Sequence, residues 1–325
     1  MFAAWYDRQG PAAQVIEFGD LDDVTPGPGE VRVRMRTSGV NPGDVKKRQS
    51  WLGSAMAFPR IVPHSDGAGV IDAVGTGVDA ARIGSRVWVY GAQSYRPFGT
   101  AAETTVVPSA LAVESTPQVS DEVGACLGIP GITAHRAVFA DGPVEGSVVL
   151  VHGVRGSVGS IAAQLARWQG ATVIGTVRTS AELALVDNAV SDHVVALDDQ
   201  PAEAVRAIAP TGVDRVIEVA FSANMETDLE VCKNGAVIAA YASPADRPAL
   251  PFWPMLFNNL VIRLLGSDDF PQSSKIEAAQ DLTRAVSTGA LSVEVGHRYS
   301  LQQAAQAHEL IEAGGVQGRI VLTIP

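Results

Sequence analysis

An α/β fold is predicted for this 325-residue chain, with a doubly wound, six-stranded parallel sheet joined to a separate β domain. Three observations predict it. A β-branched run, Val148 to Val151, enters a glycine-spaced turn and is followed at once by a helix-forming stretch, SIAAQLARWQ. Five more apolar runs follow it, separated by helical sequence. The residues before about Ser120 instead show short β-rich runs broken by turn residues, the pattern of a folded-over β domain.

In chain order, the early runs are Glu30 to Arg36, Gly67 to Val74, Arg86 to Tyr90 and Thr104 to Val107. The parallel sheet is expected from Val148 to Val151, Ala171 to Val177, His193 to Leu197, Asp214 to Val219, Ala236 to Tyr241 and Leu260 to Leu265. After Gly266 come a helix from Lys275 to Thr288, a strand from Glu294 to Tyr299, a helix from Gln302 to Ala313 and a strand from Arg319 to Ile324. This tail reads more like the first half than like the sheet. The expected division is therefore a discontinuous domain, residues 1–121 and 267–325, around an inserted domain of residues 122–266, with a ligand cleft where they join.

The stretch VVLVHGVRGSVG is the most informative feature. Gly153, Gly156 and Gly159 form a turn whose backbone can approach a pyrophosphate without Cβ clash, and the amides of Ser157 and Val158 open the helix whose positive end faces that charge. Ala171 to Val177 completes the βαβ unit that such a fingerprint requires. Enzymes preferring NAD place an acid at the end of this second strand, about 20 residues past the glycines, for the ribose 2′-hydroxyl. Here Arg178, Thr179 and Ser180 follow Val177. A guanidinium pairs with a 2′-phosphate and two hydroxyls can donate to it, so NADPH is the expected cofactor. Arg155, inside the turn, reads either as a pyrophosphate contact or as a solvated side chain.

Composition narrows the partners. A hydrophobic content of 46% with 32 glycines describes a globular chain, and a net charge of −11 disfavours nucleic acid and anionic membranes as partners. Cys126 and Cys232 are too few for a disulfide framework or a zinc cluster, which fits a reducing, cytoplasmic setting. MFAAWYDRQG lacks the features of a signal peptide, and no apolar run approaches the ~18 residues of a membrane span.

With these motifs, SGVNPGDVKKR, PHSDGAGVIDAVGTGV, GSRVWVY, FGTAAETTVVP, PGITAHRAV and the closing GGVQGRIVLTIP, the chain resembles the zinc-free quinone oxidoreductase (zeta-crystallin-like) branch of the medium-chain dehydrogenase/reductase superfamily, nearly end to end. The resemblance implies a GroES-like β domain joined to a Rossmann domain, use of NADPH, and a homodimer or homotetramer. Pro251 to Leu265, PFWPMLFNNLVIRLL, suits a subunit contact in that scheme or a plain buried edge.

Zinc-dependent relatives use Cys, a His-Glu pair and a second Cys, because a Lewis acid must polarise the alcohol oxygen. This chain has Asn41, Ser65 with Asp66, and Pro130 in the matching places. No metal is therefore expected, and His64, His135 and His152 read as satisfied core or loop histidines. The resemblance then implies hydride transfer from NADPH to a quinone or to the activated C=C of an α,β-unsaturated carbonyl, acceptors that supply their own electron sink. Two alternatives are an enone or enoyl-thioester reductase of a biosynthetic pathway and an NADPH-binding protein with little turnover.

Asn41, Lys46 and Asp44 are the candidate catalytic residues. The Asn41 amide can donate to the acceptor oxygen or form a turn. Lys46 reads equally as a proton donor or oxyanion partner and as part of the solvated run Lys46, Lys47 and Arg48. Asp44 positions Lys46 or caps the helix beginning there. On the cofactor side, Thr133 matches a threonine near the nicotinamide, with a helix-start role as the bland alternative. Tyr241 and Ser243 follow the fifth strand, and Gly266, Ser267 and Asp268 the sixth, at the edge where such sheets bind ligands. Relatives carry a Tyr near Leu197 that this chain lacks, which leaves the adenosine end of the pocket undefined.

Overall fold

The computed structural model describes all 325 residues. Two compact units emerge: Met1–Pro130 with Ala279–Ser287 and Val293–Pro325, and Gly131–Ala278 with Thr288–Ser292. The first opens with strands β1 (Phe2–Trp5), β2 (Glu17–Asp20), β3 (Glu30–Val40), β4 (Asp66–Val74), β5 (Arg86–Val89), β6 (Thr104–Pro108) and β7 (Ala112–Glu114). The short strands β1, β2 and β7 have no expected counterpart.

The second unit holds β8 (Val148–Val151), β9 (Thr172–Val177), β10 (His193–Ala196), β11 (Val213–Glu218), β12 (Cys232–Ala240) and β13 (Val261–Leu264). They form one sheet in the order β10-β9-β8-β11-β12-β13, every pair parallel. This is the doubly wound arrangement expected, and its near-continuous apolar strands follow from helices covering both faces. Leu150, Ile174, Val216 and Ile238 are buried beside Val205, Phe221 and Met225 from the helices.

The chain returns to the first unit through β14 (Val295–Ser300) and β15 (Arg319–Thr323). β15 pairs antiparallel with β3, Ile320 opposite Val40 and Thr323 opposite Thr37. The resulting sheet runs β14-β15-β3-β4-β5-β7, with β6 also on β3. β3 extends four residues beyond the expected Arg36, with β4 paired to Thr37 to Gly39 on one side and the C-terminal strand to Thr37 to Val40 on the other, contacts no local pattern reveals. The first unit also extends past the expected boundary at residue 121. Asp121 accepts from Arg36 and Arg86, and a Cβ at Gly124 would lie 2.9 Å from Trp88 Cβ, so this segment is packed onto the β-sheet. Likewise Trp88 Nε1 donates to Thr283 Oγ1 at 3.1 Å, which places the second half of the Gln272–Ser287 helix with the first unit. No helix is long and apolar enough to cross a membrane.

Candidate active site

In the second unit, β8 leads through the glycine turn into the helix Ser157–Trp168. Each glycine answers a distinct demand. Gly153 has φ +65°, a left-handed conformation that costs a side-chain-bearing residue roughly 1 kcal/mol. Gly156 caps the helix in extended geometry, its own amide donating to Gly153 O at 2.8 Å. A Cβ on Gly159 would fall 2.4 Å from Gly153 O, so the third glycine lets the helix close onto the turn. On β9, a Cβ on Gly175 would lie 2.8 Å from Val154, so the strand leaves room for the turn's one apolar side chain. The first-turn amides at Ser157 and Val158 open a twelve-residue helix whose dipole favours an anion.

The end of β9 presents Arg178, exposed, its guanidinium without a hydrogen bond or ion pair. Thr179 beside it is exposed and caps the 3₁₀ turn Ser180–Leu185. Ser180 differs from the expected phosphate donor: its hydroxyl already donates to Asp198 Oδ1 at 2.9 Å, and its amide to the same carboxylate at 3.0 Å. Arg155 forms an ion pair with Glu182 at 3.1 Å, rather than standing solvated, while Glu182 Oε2 accepts from the Arg178 amide at 3.0 Å. Glu182 and Asp198 were not legible as site residues, since each acts on a neighbour that only the folded turn brings near.

Other cofactor candidates lie at the carboxyl edge of the sheet. Tyr241 follows β12, its phenol pushed above its ordinary range by burial and then by the Glu218 charge. The Ser243 hydroxyl donates to Ala245 O at 2.8 Å, so it serves the loop. Gly266 caps a 3₁₀ turn that carries Ser267 and Asp268, and the Asp268 carbonyl accepts from Lys275 Nζ at 2.7 Å. Thr133 is buried within the helix Ile129–Phe139, four residues from its start.

In the first unit, Asn41 precedes the helix Pro42–Arg48 and is 3% exposed. Its Nδ2 donates to Asp66 Oδ2 at 2.8 Å, its Oδ1 accepts from Arg319 at 2.7 Å, and its amide donates to Asp44 Oδ2 at 2.8 Å. Asp44 therefore caps the helix rather than positioning Lys46. Lys46 is exposed and lies over the Trp51 ring, 4.4 Å from its centre, with no hydrogen bond. Asp66 is wholly buried. Burial pushes its carboxyl up to about 7 against the opposing pull of Asn41, the Ile129 amide and the Arg319 charge.

This network tests whether zinc fits. At the places where zinc-dependent relatives supply ligands, Asp66 is the sole carboxylate. It already accepts from Asn41 and from the Ile129 amide at 2.9 Å, and a Cβ on Gly128 would lie 2.0 Å from its Oδ1. Asn41 presents a weak donor, and Pro130 presents no side-chain ligand atom. The set does not fit a catalytic zinc, which requires three strong N, S or O ligands.

A glycine turn opening the central helix of a doubly wound sheet, with an arginine at the end of the second strand, defines a dinucleotide-dependent dehydrogenase or reductase. Residues 27–118 match the family described as alcohol dehydrogenase GroES-like domain, and residues 191–322 match zinc-binding dehydrogenase. The quinone oxidoreductase of Rattus norvegicus is 31% identical, covering 96% of this chain and 97% of that protein, and that of Mus musculus is 30% identical over the same shares. A mycobacterial quinone oxidoreductase superposes with a TM-score of 0.87 at 27% identity over 99% of both chains. A mycobacterial protein solved with NADPH gives 0.86 at 28%, covering 99% of this chain and all of that one. An NAD-dependent alcohol dehydrogenase also superposes, at 0.88 and 27% over the whole of both, so the fold by itself does not select the chemistry. The chain belongs to the quinone oxidoreductase family, the zeta-crystallin-like branch of the medium-chain dehydrogenase/reductase superfamily.

Proposed function

We propose that the protein is an NADPH-dependent oxidoreductase that reduces a quinone, or the activated C=C of an α,β-unsaturated carbonyl, without a metal. The observation that carries this reading is the Asn41, Asp66 and Arg319 network, where a metal-dependent relative would hold zinc. Without a Lewis acid, an acceptor that itself delocalises the incoming electron pair, as a quinone or enone does, is easier to reduce than a simple ketone. Bound NADPH would supply the hydride, leaving the acceptor as an enolate or a hydroquinone monoanion, which then takes up one proton.

In this reading Arg178 and Thr179 hold the 2′-phosphate, and the amides at Ser157 and Val158 hold the pyrophosphate. Asn41 keeps a second Nδ2 proton to donate to a carbonyl oxygen. Lys46 is the proton donor among the acceptor-side residues. The similarity to quinone oxidoreductases and to a protein that binds NADPH supports the assignment. Deuteride-labelled NADPH, offered with quinones, enones and enoyl thioesters, tests it. Deuterium on the β-carbon of the product identifies C=C reduction, and unlabelled hydroquinone, whose new hydrogens exchange with water, identifies quinone reduction. Labelled carbinol from simple ketones would overturn the reading.

We also infer that the protein works as a homodimer or homotetramer in the cytoplasm. β13 has a neighbour on one side only, and beside it the short helix Phe252–Phe257 exposes Phe252 (59%), Trp253 (64%) and Phe257 (74%), an apolar surface suited to a second copy. Two free, buried cysteines fit a reducing compartment. Sedimentation of the wild type beside Trp253→Glu tests the assembly, and a monomeric wild type would refute it.

A further inference from the structure

The end of β8 carries a side-chain cluster that the proposed reaction does not use. His152, wholly buried, touches three other elements. Its Nδ1 lies 3.0 Å from Thr176 Oγ1 on β9, and its Nε2 lies 2.8 Å from Asp228 Oδ1 on the Phe221–Val231 helix and 3.6 Å from Glu218 Oε2 at the end of β11. Asp228 and Glu218 are wholly buried as well. The same Thr176 oxygen accepts from the Gly153 amide at 3.3 Å, the first glycine of the turn. The imidazole is thus one hydroxyl away from the dinucleotide loop.

Two protonation states satisfy this arrangement. With a neutral imidazole, Nε2–H donates to Asp228 and Nδ1 accepts the Thr176 hydroxyl proton. With an imidazolium, Nδ1–H donates to Thr176, which turns its own proton away and accepts from both His152 and Gly153. The hydroxyl is a rotor, and its setting changes how it holds the Gly153 amide.

The charge also changes. Asp228 Oδ2 is buried without a hydrogen-bond partner, and Glu218 is capped by Asn224 Nδ2, 3.1 Å from each oxygen, and by the Ala220 amide. Two buried carboxylates facing one imidazole favour a retained proton. Burial opposes the imidazolium, but the Asp228 hydrogen bond and the charges of Asp228 and Glu218 outweigh it and hold the His152 pKa above its ordinary value. Burial pushes Glu218 up to about 7. The other titratable groups facing the cluster are Tyr241, beside Glu218, and Cys232, beside Asp228 with Arg206 beyond it. Burial raises both the phenol and the thiol, so each stays neutral and leaves the triad to set the charge. Although the three donor atoms lie within 4.8 Å of one another, His152 Nε2 faces Asp228 at hydrogen-bond distance and Glu218 already has amide donors. The geometry is that of a proton site, not of a metal cage.

We propose that His152, Asp228, Glu218 and Thr176 form a proton-holding positioning cluster beneath the dinucleotide loop, and that binding of nucleotide phosphate at the loop is linked to retention of the cluster's proton. The proposal rests on the reading that NADPH binds this loop. Its sign follows from charge: an anionic phosphate favours the protonated, less negative cluster, so binding takes up a proton and affinity falls as pH rises through the titration.

The test is NADPH affinity by fluorescence from about pH 7 to about pH 9, with calorimetry of the wild type in two buffers of different ionisation enthalpy. For one linked proton, Kd should rise by up to about tenfold per pH unit in the wild type. Asp228→Asn and Glu218→Gln should flatten that slope, and Thr176→Val, of nearly the same volume, should weaken binding at every pH. Buffer-dependent heats should report proton uptake and need no variant, so a variant that fails to fold does not remove the test. Wild-type binding with a flat pH profile and no proton uptake would overturn the cluster's role alone. No NADPH binding at pH 7 would overturn the reading of the loop, and the inference with it.

Discussion

His64 Nε2 lies 2.9 Å from His308 Nε2, the two wholly buried rings stacked with their centres 5.2 Å apart. Their hydrogens can be assigned from one end. Thr100 Oγ1 donates to Asp66 O at 2.6 Å, since a carbonyl only accepts, so Ser38 Oγ must donate to Thr100 at 2.7 Å. Ser38 then accepts from His64 Nδ1–H at 2.8 Å. This leaves His64 Nε2 to accept from His308 Nε2–H, and His308 Nδ1 to face the Arg48 guanidinium. Both imidazoles are neutral, and the chain they complete reaches the backbone of Asp66, which holds Asn41. His64 itself has φ +75°, a left-handed conformation held by the Thr100 amide on its carbonyl at 2.9 Å.

A first expectation concerns acid. Burial lowers His64 to about 3, and burial, with the Arg48 charge beside it, lowers His308 well below its ordinary value. The unfolded chain binds these protons near 6.5 and the native state does not. The stability conferred is therefore complete above about pH 6.5 and lost as pH falls toward 3, by about 1.4 kcal/mol per pH unit for each histidine. Urea midpoints should decline from pH 7 to pH 5, and His308→Gln, which keeps a donor to His64, should reduce the slope by about one proton. An unchanged slope would mean that His308 titrates normally.

The glycine loop gives a graded pair. Gly159→Ala sets a Cβ 2.4 Å from a backbone carbonyl, whereas Gly156→Ala sets one 3.1 Å from the same oxygen at φ −79°. The first should raise the NADPH Kd by more than about tenfold and lower Tm, and the second should raise it less than about tenfold. Equal effects in a fluorescence titration would place the phosphate elsewhere.

Arg178→Asp should weaken NADPH about ten- to a hundredfold and leave NADH nearly unchanged, because a charge-assisted bond to phosphate is worth about 1.5–3 kcal/mol. Unaltered NADPH affinity would remove Arg178 from the pocket.

Lys46→Met should slow turnover by about tenfold with NADPH affinity preserved, the signature of a lost proton donor. Stopped-flow rates checked against Kd decide this. An unaltered rate would leave Lys46 with its contact over the Trp51 ring alone.

The glycine loop and the six strands were legible because they depend on local spacing: β-branched runs, a turn and a helix. What local spacing could not show arises from distant partners. The last four residues of β3 are strand between distant partners, Asp66 to Ala68 on one side and Ile320 to Thr323 on the other. Ser180 reads as a phosphate donor until Asp198, eighteen residues on, takes its proton. His152 reads as a satisfied loop histidine, and both ring nitrogens are indeed engaged. No spacing shows that one of them meets a carboxylate 76 residues away. Asn41 was legible by its motif, whereas its hold on Arg319 joins opposite ends of the chain.

The most direct measurement is acceptor-dependent loss of NADPH absorbance at 340 nm, under anaerobic conditions, on protein freed of metal by chelation. Turnover of quinones or enones at full rate without metal, with simple ketones inert, is the expected result. Ketone reduction that disappears on chelation and returns with zinc would contradict a metal-independent hydride transfer.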